Sequence, residues 1–387
     1  MIHKTKALIA ILYCVPIFGI GIDLYTPSLP FIAQDLATST AWTKMTISSF
    51  MLGAFIGMLV FGTLADILGR RKLILASLVG YILFNLFIAF SPSIYLVITF
   101  RFISGICAGS IAALNRAQTT DLFRGNEMKK VSSSMTIVWG LGPILAPFIG
   151  GFLQHFLGWQ APFIFLAVYG LVGLVLMYFY LPETHQERAN KNLYVILSDY
   201  RTILSHKAFL GALLQCGILY GILLYFGIIG SFYVQSQLQY SAVTYGNFSL
   251  LLGFAYFFGT IFRRIFSHIS DCNYLKITFN LLIAINIAFF IISFLSHWNM
   301  LVLLLNAFVS SFIVGLIYPV YLNRCLSLFP KIAGTAGALS GAGVMLIISI
   351  ISALAGLIQV TLLPIFIAIY LITAAINYLL FLFLKPE

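Results

Sequence analysis

Apolar stretches of roughly 20 residues alternate with short polar breaks along the whole chain. Twelve can be drawn, at about 7–31, 43–65, 72–91, 94–116, 131–154, 160–181, 208–233, 243–265, 276–296, 299–322, 332–358 and 362–384. Each is long enough to cross a bilayer as a helix. The longest polar segment, 182–207, falls midway and reads as a cytoplasmic linker between two bundles, 1–181 and 208–387. The expected fold is an all-α integral membrane protein: twelve transmembrane helices in two pseudo-symmetric six-helix halves around a central cavity. The halves echo each other faintly, Gly62-Thr63-Leu64 against Gly259-Thr260-Ile261 and Gly151-Phe152-Leu153-Gln154 against Gly356-Leu357-Ile358-Gln359.

Composition excludes several classes. Of 387 residues, 61% are hydrophobic and 8% charged, too apolar for a soluble domain of this size. The formal net charge of +11 comes from basic residues scattered over short loops, which fits positive-inside topology better than nucleic-acid binding. That topology puts both termini in the cytoplasm, in a bacterial-type inner membrane. The basic start followed by an apolar run resembles a signal peptide, but Asp23 interrupts it and no small-residue cleavage site follows cleanly, so it reads as a retained first span. Cys14, Cys107, Cys216, Cys272 and Cys325 have no close pair or metal spacing and read as free thiols. No histidine has a metal-ligand neighbour, and nucleotide-binding or hydrolase motifs are missing. The reading is a non-enzyme without metal or cofactor.

Charges inside spans are costly, and here they are few. Asp23 is the only carboxylate well inside a span, and Arg101 is the only deeply placed cation. Each lies eight residues from the outer end of its span, Phe31 for one and Ser93 for the other, so both are expected ~12 Å deep. In one reading Asp23 carries a proton and Arg101 tunes its proton affinity, since desolvation favours the neutral acid and a guanidinium the carboxylate. In the other, the two are a static pair that fixes the first and fourth spans together.

A longer signal lies between the second and third spans, Gly62-Thr63-Leu64-Ala65-Asp66-Ile67-Leu68-Gly69-Arg70-Arg71-Lys72. Gly62 is expected to let helices approach, Gly69 to take a positive φ at a helix end, and the basic cluster to hold the turn inside. The stretch resembles the helix 2–3 loop of the major facilitator superfamily, G-x-L-A-D-x-x-G-R-R-K, with Ile67 where Arg is common. Arg101-Phe102-Ile103-Ser104-Gly105 resembles that superfamily's R-x-x-x-G on the fourth helix. Gly142-Pro143-Ile144-Leu145-Ala146-Pro147-Phe148-Ile149-Gly150-Gly151 resembles its fifth-helix antiporter motif in the Bcr/CflA version. Asp23-Leu24-Tyr25-Thr26-Pro27-Ser28-Leu29-Pro30, Gly158-Trp159-Gln160 and Leu181-Pro182-Glu183-Thr184 are similar to further segments of that group, with Gln160 in place of Arg. The likeness covers the first half well and the second half by hydropathy and fragments.

The resemblance implies a drug:proton antiporter that exports small organic compounds, drugs, toxic compounds or a metabolite such as a siderophore, by alternating access. Its partners would be substrate, protons and the bilayer, with a monomer as working unit. It implies proton coupling at Asp23 and Arg101, and an inner gate in which Asp66 meets the helix start at Gly334-Thr335-Ala336-Gly337 beside Arg70, Arg71 and Asp121. Alternatives are a proton-linked importer on the same fold and a non-transporting membrane signalling or scaffold protein. Tyr25, Asn115, Trp139, Tyr220, Tyr225, Tyr318 and Asn323 are candidates to present polar tips to a cavity, although most such residues face lipid or neighbouring helices. The second half has no buried charge in its spans, so its share of substrate binding is expected to be apolar and hydrogen-bonding.

Overall fold

The computed structural model describes residues 2–183, 193–266, 269–295 and 299–383, with backbone only at 2–3, 66–67, 193–197, 264, 266, 331 and 333. Fifteen α-helices run through these residues: α1 (Ile2–Cys14), α2 (Ile17–Asp23), α3 (Leu29–Asp35), α4 (Thr40–Leu68), α5 (Arg70–Ala89), α6 (Ile94–Leu122), α7 (Gly125–Leu157), α8 (Ala161–Tyr180), α9 (Leu193–Leu204), α10 (Lys207–Tyr225), α11 (Ala242–Phe262), α12 (Asp271–Leu295), α13 (Asn299–Ser327), α14 (Ala333–Leu357) and α15 (Leu363–Phe383). Twelve segments are long and apolar enough to cross a membrane, the first combining α1 to α3 over Lys4–Asp35 and the seventh covering Lys207–Gln237. The protein is a multi-pass membrane protein. Several spans outrun their expected ends: α6 continues past Arg116 to Leu122 and α7 begins at Gly125, because polar residues prolong a helix once it has left the hydrocarbon. Ser39, Ser93 and Ser241 cap α4, α6 and α11 through their hydroxyls.

The chain divides into two compact units, Met1–Ile196 and Leu197–Glu387. In unit 1, α4 and α6 form the main seam. A side chain at Gly53 or Gly57 would collide with the backbone of Phe102 or Ile106, and one at Gly105 or Gly109 with Phe50 or Ala54. In unit 2, α11 and α13 meet the same way, Gly259 under Phe312 and Gly315 under Tyr256. These contacts set the register of the repeat. A shift of 202 positions carries Gly57 to Gly259 and Ala54 to Tyr256; a shift of 206 carries Ile106 to Phe312 and Gly109 to Gly315. Gly62 is therefore not the close-approach residue: its nearest neighbour is the Ala113 Cβ, 3.9 Å from where a Cβ would sit, and Gly57, not Gly62, corresponds to Gly259.

Two polar clusters mark the units. In unit 1, Ser77 and Ser110 share a hydrogen bond of 2.7 Å between α5 and α6. In unit 2, Asn306 donates to Asn286 Oδ1 (3.0 Å) and Asn286 donates to Ser310 (3.2 Å), tying α12 to α13. The C-terminal part of the seventh span winds as π-helix over Phe226–Gly230 and Tyr233–Gln237, where Tyr245 donates its hydroxyl to the Phe226 carbonyl at 3.2 Å.

Candidate functional site

The first span, read from the sequence as one segment over 7–31, is broken into short helices. Pro27 and Pro30 bring no N–H, so α2 ends at Asp23, a 3₁₀ turn spans Thr26–Ser28, and α3 starts at Leu29. The Asp23 carbonyl, whose usual partner would be the N–H at position 27, accepts from the Thr26 hydroxyl instead (2.8 Å). The Gly21 carbonyl accepts from Arg101 Nη1 (3.0 Å). A cation thus sits at the negative end of α2, two residues from the carboxylate of Asp23.

Arg101 is fully buried. Its guanidinium lies 4.0 Å from the ring centre of Phe50 and 4.3 Å from that of Tyr25, a cation held between two π faces. Its Nε and Nη2 have no hydrogen-bond partner. Thr46 donates its one hydroxyl hydrogen to the Thr43 carbonyl (2.6 Å), so in its 2.9 Å contact with Tyr25 the tyrosine is the donor. Asp23 is half-buried and forms no ion pair with Arg101, so the link between the first and fourth spans runs through the Gly21 carbonyl, not through the carboxylate. Arg101 is not the only buried cation: Lys44, in the second turn of α4, is 2% exposed, its alkyl stem suiting it to an apolar site.

The fifth-span motif packs onto this broken helix. α7 runs unbroken through Pro143 and Pro147. A Cβ at Gly19 would meet the Pro143 ring at 2.7 Å, one at Gly142 would meet Pro16 Cβ at 2.9 Å, and one at Gly150 would strike the Leu24 carbonyl. Pro147 and Gly151 are buried on the same helix. At the α7–α8 turn, Trp159 donates to Asp35 Oδ2 (2.7 Å) and tethers α3.

The end of unit 1 at the α4–α5 turn carries the charged cluster. Gly69 has φ +88°. It releases α5, whose first N–H groups, at Arg70 and Arg71, donate to Glu183 Oε1 (3.0 Å) and Oε2 (3.2 Å). The Arg70 guanidinium donates to the Ala117 carbonyl and pairs with Asp121, while Arg71 reaches the Tyr178 carbonyl at 2.7 Å. The expected partnership of Asp66 lies outside the described side chains.

The cavity candidates divide. Tyr25 is fully buried with its hydroxyl committed to Thr46, and Tyr225 is buried with its hydroxyl on Thr373 (3.0 Å), so neither offers a free tip here. Tyr220 and Tyr318 are buried with ring centres 6.2 Å apart, Trp139 is half-buried, and Asn323 is exposed. Asn115 is 1% exposed and both its amide atoms lack partners; Gln118, one turn on and absent from the sequence candidates, shares both traits. Only the helical stripe from Arg101 through Ser104, Ala108 and Ile111 to Asn115 could have pointed to it. The cysteines are free, and Cys216 and Cys325, far apart in sequence, meet through a thiol hydrogen bond between α10 and α13.

Twelve spans, a first helix interrupted beside a buried arginine and a glycine-built repeat define a polytopic transporter rather than an enzyme. The sequence profile described as Major Facilitator Superfamily matches residues 11–353, and the chain belongs to that superfamily. It is 29% identical over 398 residues to the uncharacterised MFS-type transporter YdgK of Bacillus subtilis (strain 168), covering 99% of this chain and 96% of that protein. It is 32% identical over 225 residues to a bicyclomycin resistance protein homolog of Haemophilus influenzae, covering 58% of this chain and 56% of that one. In fold it resembles the crystal structure of a D-xylose-proton symporter, with a TM-score of 0.78 at 16% identity over 98% of this chain and 97% of that one.

Proposed function

We propose that this transporter exports small organic compounds from the cell in exchange for protons, with Asp23 as the proton carrier and Arg101 as the group that sets its affinity. The observation that carries the reading is the half-buried carboxylate at the broken end of α2, beside a buried guanidinium with two unpartnered nitrogens. A proton taken up by Asp23 weakens its attraction to Arg101, and the Pro27 break gives the outer half of the helix freedom to respond. A membrane potential of 100 mV supplies ~2.3 kcal/mol per charge moved, enough to bias a two-state element. Arg70, Arg71 and Asp121, with Gly62 and Asp66 in the last turns of α4 and Gly69 between α4 and α5, form the inner gate. The interface of Gly142, Pro143, Pro147, Gly150 and Gly151 with α2 is the joint across which the first span moves. Asn115, Trp139, Tyr220 and Tyr318 remain the substrate contacts, in a protein of the cytoplasmic membrane with both termini inside. The name of the bicyclomycin resistance relative supports export of a toxic organic compound.

The test is uptake into everted vesicles under an imposed pH gradient, over a panel of neutral and cationic antibiotics and dyes. Wild type accumulates at least one compound, and Asp23→Asn, equally abundant in the membrane, accumulates none above empty vesicles. Equal accumulation by Asp23→Asn ends the carrier assignment. Uptake only into right-side-out vesicles makes the protein an importer.

A further inference from the structure

Within unit 2 a small, open-mouthed recess lies between α10 and α13, lined by Ala208, Gly211, Ala212, Gln215, Tyr321 and Arg324. Three of the four α10 residues are small, and the space is what their missing side chains leave. The helices run in opposite directions, so Arg324 is level with the first turn of α10 while Tyr321 lies deeper, towards Gln215.

The polar groups in the recess are unsatisfied in a particular combination. Tyr321 is 4% exposed and Gln215 1%, yet the Tyr321 hydroxyl and Gln215 Oε1 have no partner. Gln215 Nε2 donates to the Asn377 carbonyl at 2.8 Å, so its amide cannot turn round without losing that bond, and Oε1 must remain an acceptor. Arg324 is half-buried, and among the described residues no carboxylate pairs with it. The N-cap of α10, His206, makes no side-chain capping bond, so the first N–H groups of a 19-residue helix add positive partial charge near the mouth. The same level of the repeat is unsatisfied in unit 1: the 206-position shift that aligns the glycine contacts carries Asn115 to Tyr321 and Gln118 to Arg324, and all four amide atoms of that pair lack partners.

A cation and a helix start call for negative charge; a buried, fixed acceptor calls for an O–H. Chloride has the charge without the donor, water the donor without the charge, and sulfate at neutral pH carries no proton. We infer that the recess is a binding site for a small, singly charged oxyanion that keeps an O–H, of the dihydrogen phosphate or hydrogen carbonate type. Its O–H donates to Gln215 Oε1, and its charged oxygens accept from Tyr321 and Arg324. α10 and α13 are the most buried spans of unit 2 at 78% and 61%, so the ligand comes from water at the inner ends of the helices rather than from lipid. Occupancy bridges α10 to α13, whatever the direction of transport or the role of Asp23.

The test is titration of the purified full-length protein with inorganic phosphate, sulfate or chloride at matched ionic strength and near-neutral, slightly acidic pH, read by calorimetry and ³¹P line broadening. Phosphate binds saturably and sulfate at least about tenfold more weakly, because a site built around a donor rejects an analogue lacking it. Tyr321→Phe and Arg324→Gln each weaken phosphate about tenfold or more, Lys276→Gln on α12 leaves it unchanged, and Gln215→Leu narrows the gap between phosphate and sulfate. Melting curves confirm that each variant is folded. Equal binding of phosphate and sulfate to wild type reduces the recess to a positive surface and overturns the inference. So does the absence of saturable binding, which leaves a pocket for water alone, and so does wild-type affinity in both Tyr321→Phe and Arg324→Gln.

Discussion

The two units share a seam but not its chemistry. Both press the second helix of the half against the fourth, glycine against backbone carbonyl, in one register. In unit 1 that register places Arg101 about two turns from the Gly109 contact, between two aromatic rings; in unit 2 the corresponding position is Ala307. Both units hold an ion pair near the turn after the second helix of the half, Arg70 with Asp121 in unit 1 and Arg263 with Asp271 (2.7 Å) in unit 2, and unit 1 adds a carboxylate at the start of its next helix. The seam of unit 1 carries a buried arginine, while that of unit 2 keeps the same scaffold with a small neutral residue at the corresponding position. A repeated fold can separate architecture from chemistry because backbone contact at glycine fixes helix spacing whatever the remaining side chains are.

The largest expected effect tests the shared seam. Gly57→Leu and Gly259→Leu should each abolish the monodisperse peak in detergent size exclusion, since overpacking at a backbone contact exceeds the ~1–3 kcal/mol of an ordinary core insertion. A folded Gly259→Leu protein alongside an unfolded Gly57→Leu protein would break the equivalence. The next effect sharpens the difference in chemistry. Arg101→Lys should lower proton-driven transport by roughly tenfold to a hundredfold, the loss of a charge-assisted hydrogen bond and its stacking (~1.5–3 kcal/mol), while Ala307→Ser stays near wild type in the same vesicles. The smallest concerns the cap: Glu183→Gln should lower stability by about 0.3–1 kcal/mol, a shift of a few degrees or less in the melting temperature of purified protein.

Much of the fold can be read directly from hydropathy. Twelve apolar runs are hard to arrange otherwise, and polar groups at their ends only blur the boundaries. The break between Asp23 and Leu29 is written in the sequence as Pro27 and Pro30, but the nearly continuous apolar run from Ala7 to Phe31 hides it inside one span. The loop motif draws attention to Gly62 over Gly57, and spacing alone cannot tell which face of a helix meets a neighbour. Arg101 is legible because a lone cation in a span has few innocent explanations. Gln118, Tyr321 and Gln215 are not, since their role depends on what surrounds them, and a polar residue with no partner looks in sequence like one that has found several.

The grip of Glu183 on the start of α5 also bears on how the polypeptide can be cut. A chain severed within 186–190 keeps that carboxylate on the first fragment, whereas a cut after Leu181 hands it to the second. Co-expressed pieces divided at the later point should therefore reassemble into a working carrier more readily than pieces divided only a few peptide bonds earlier.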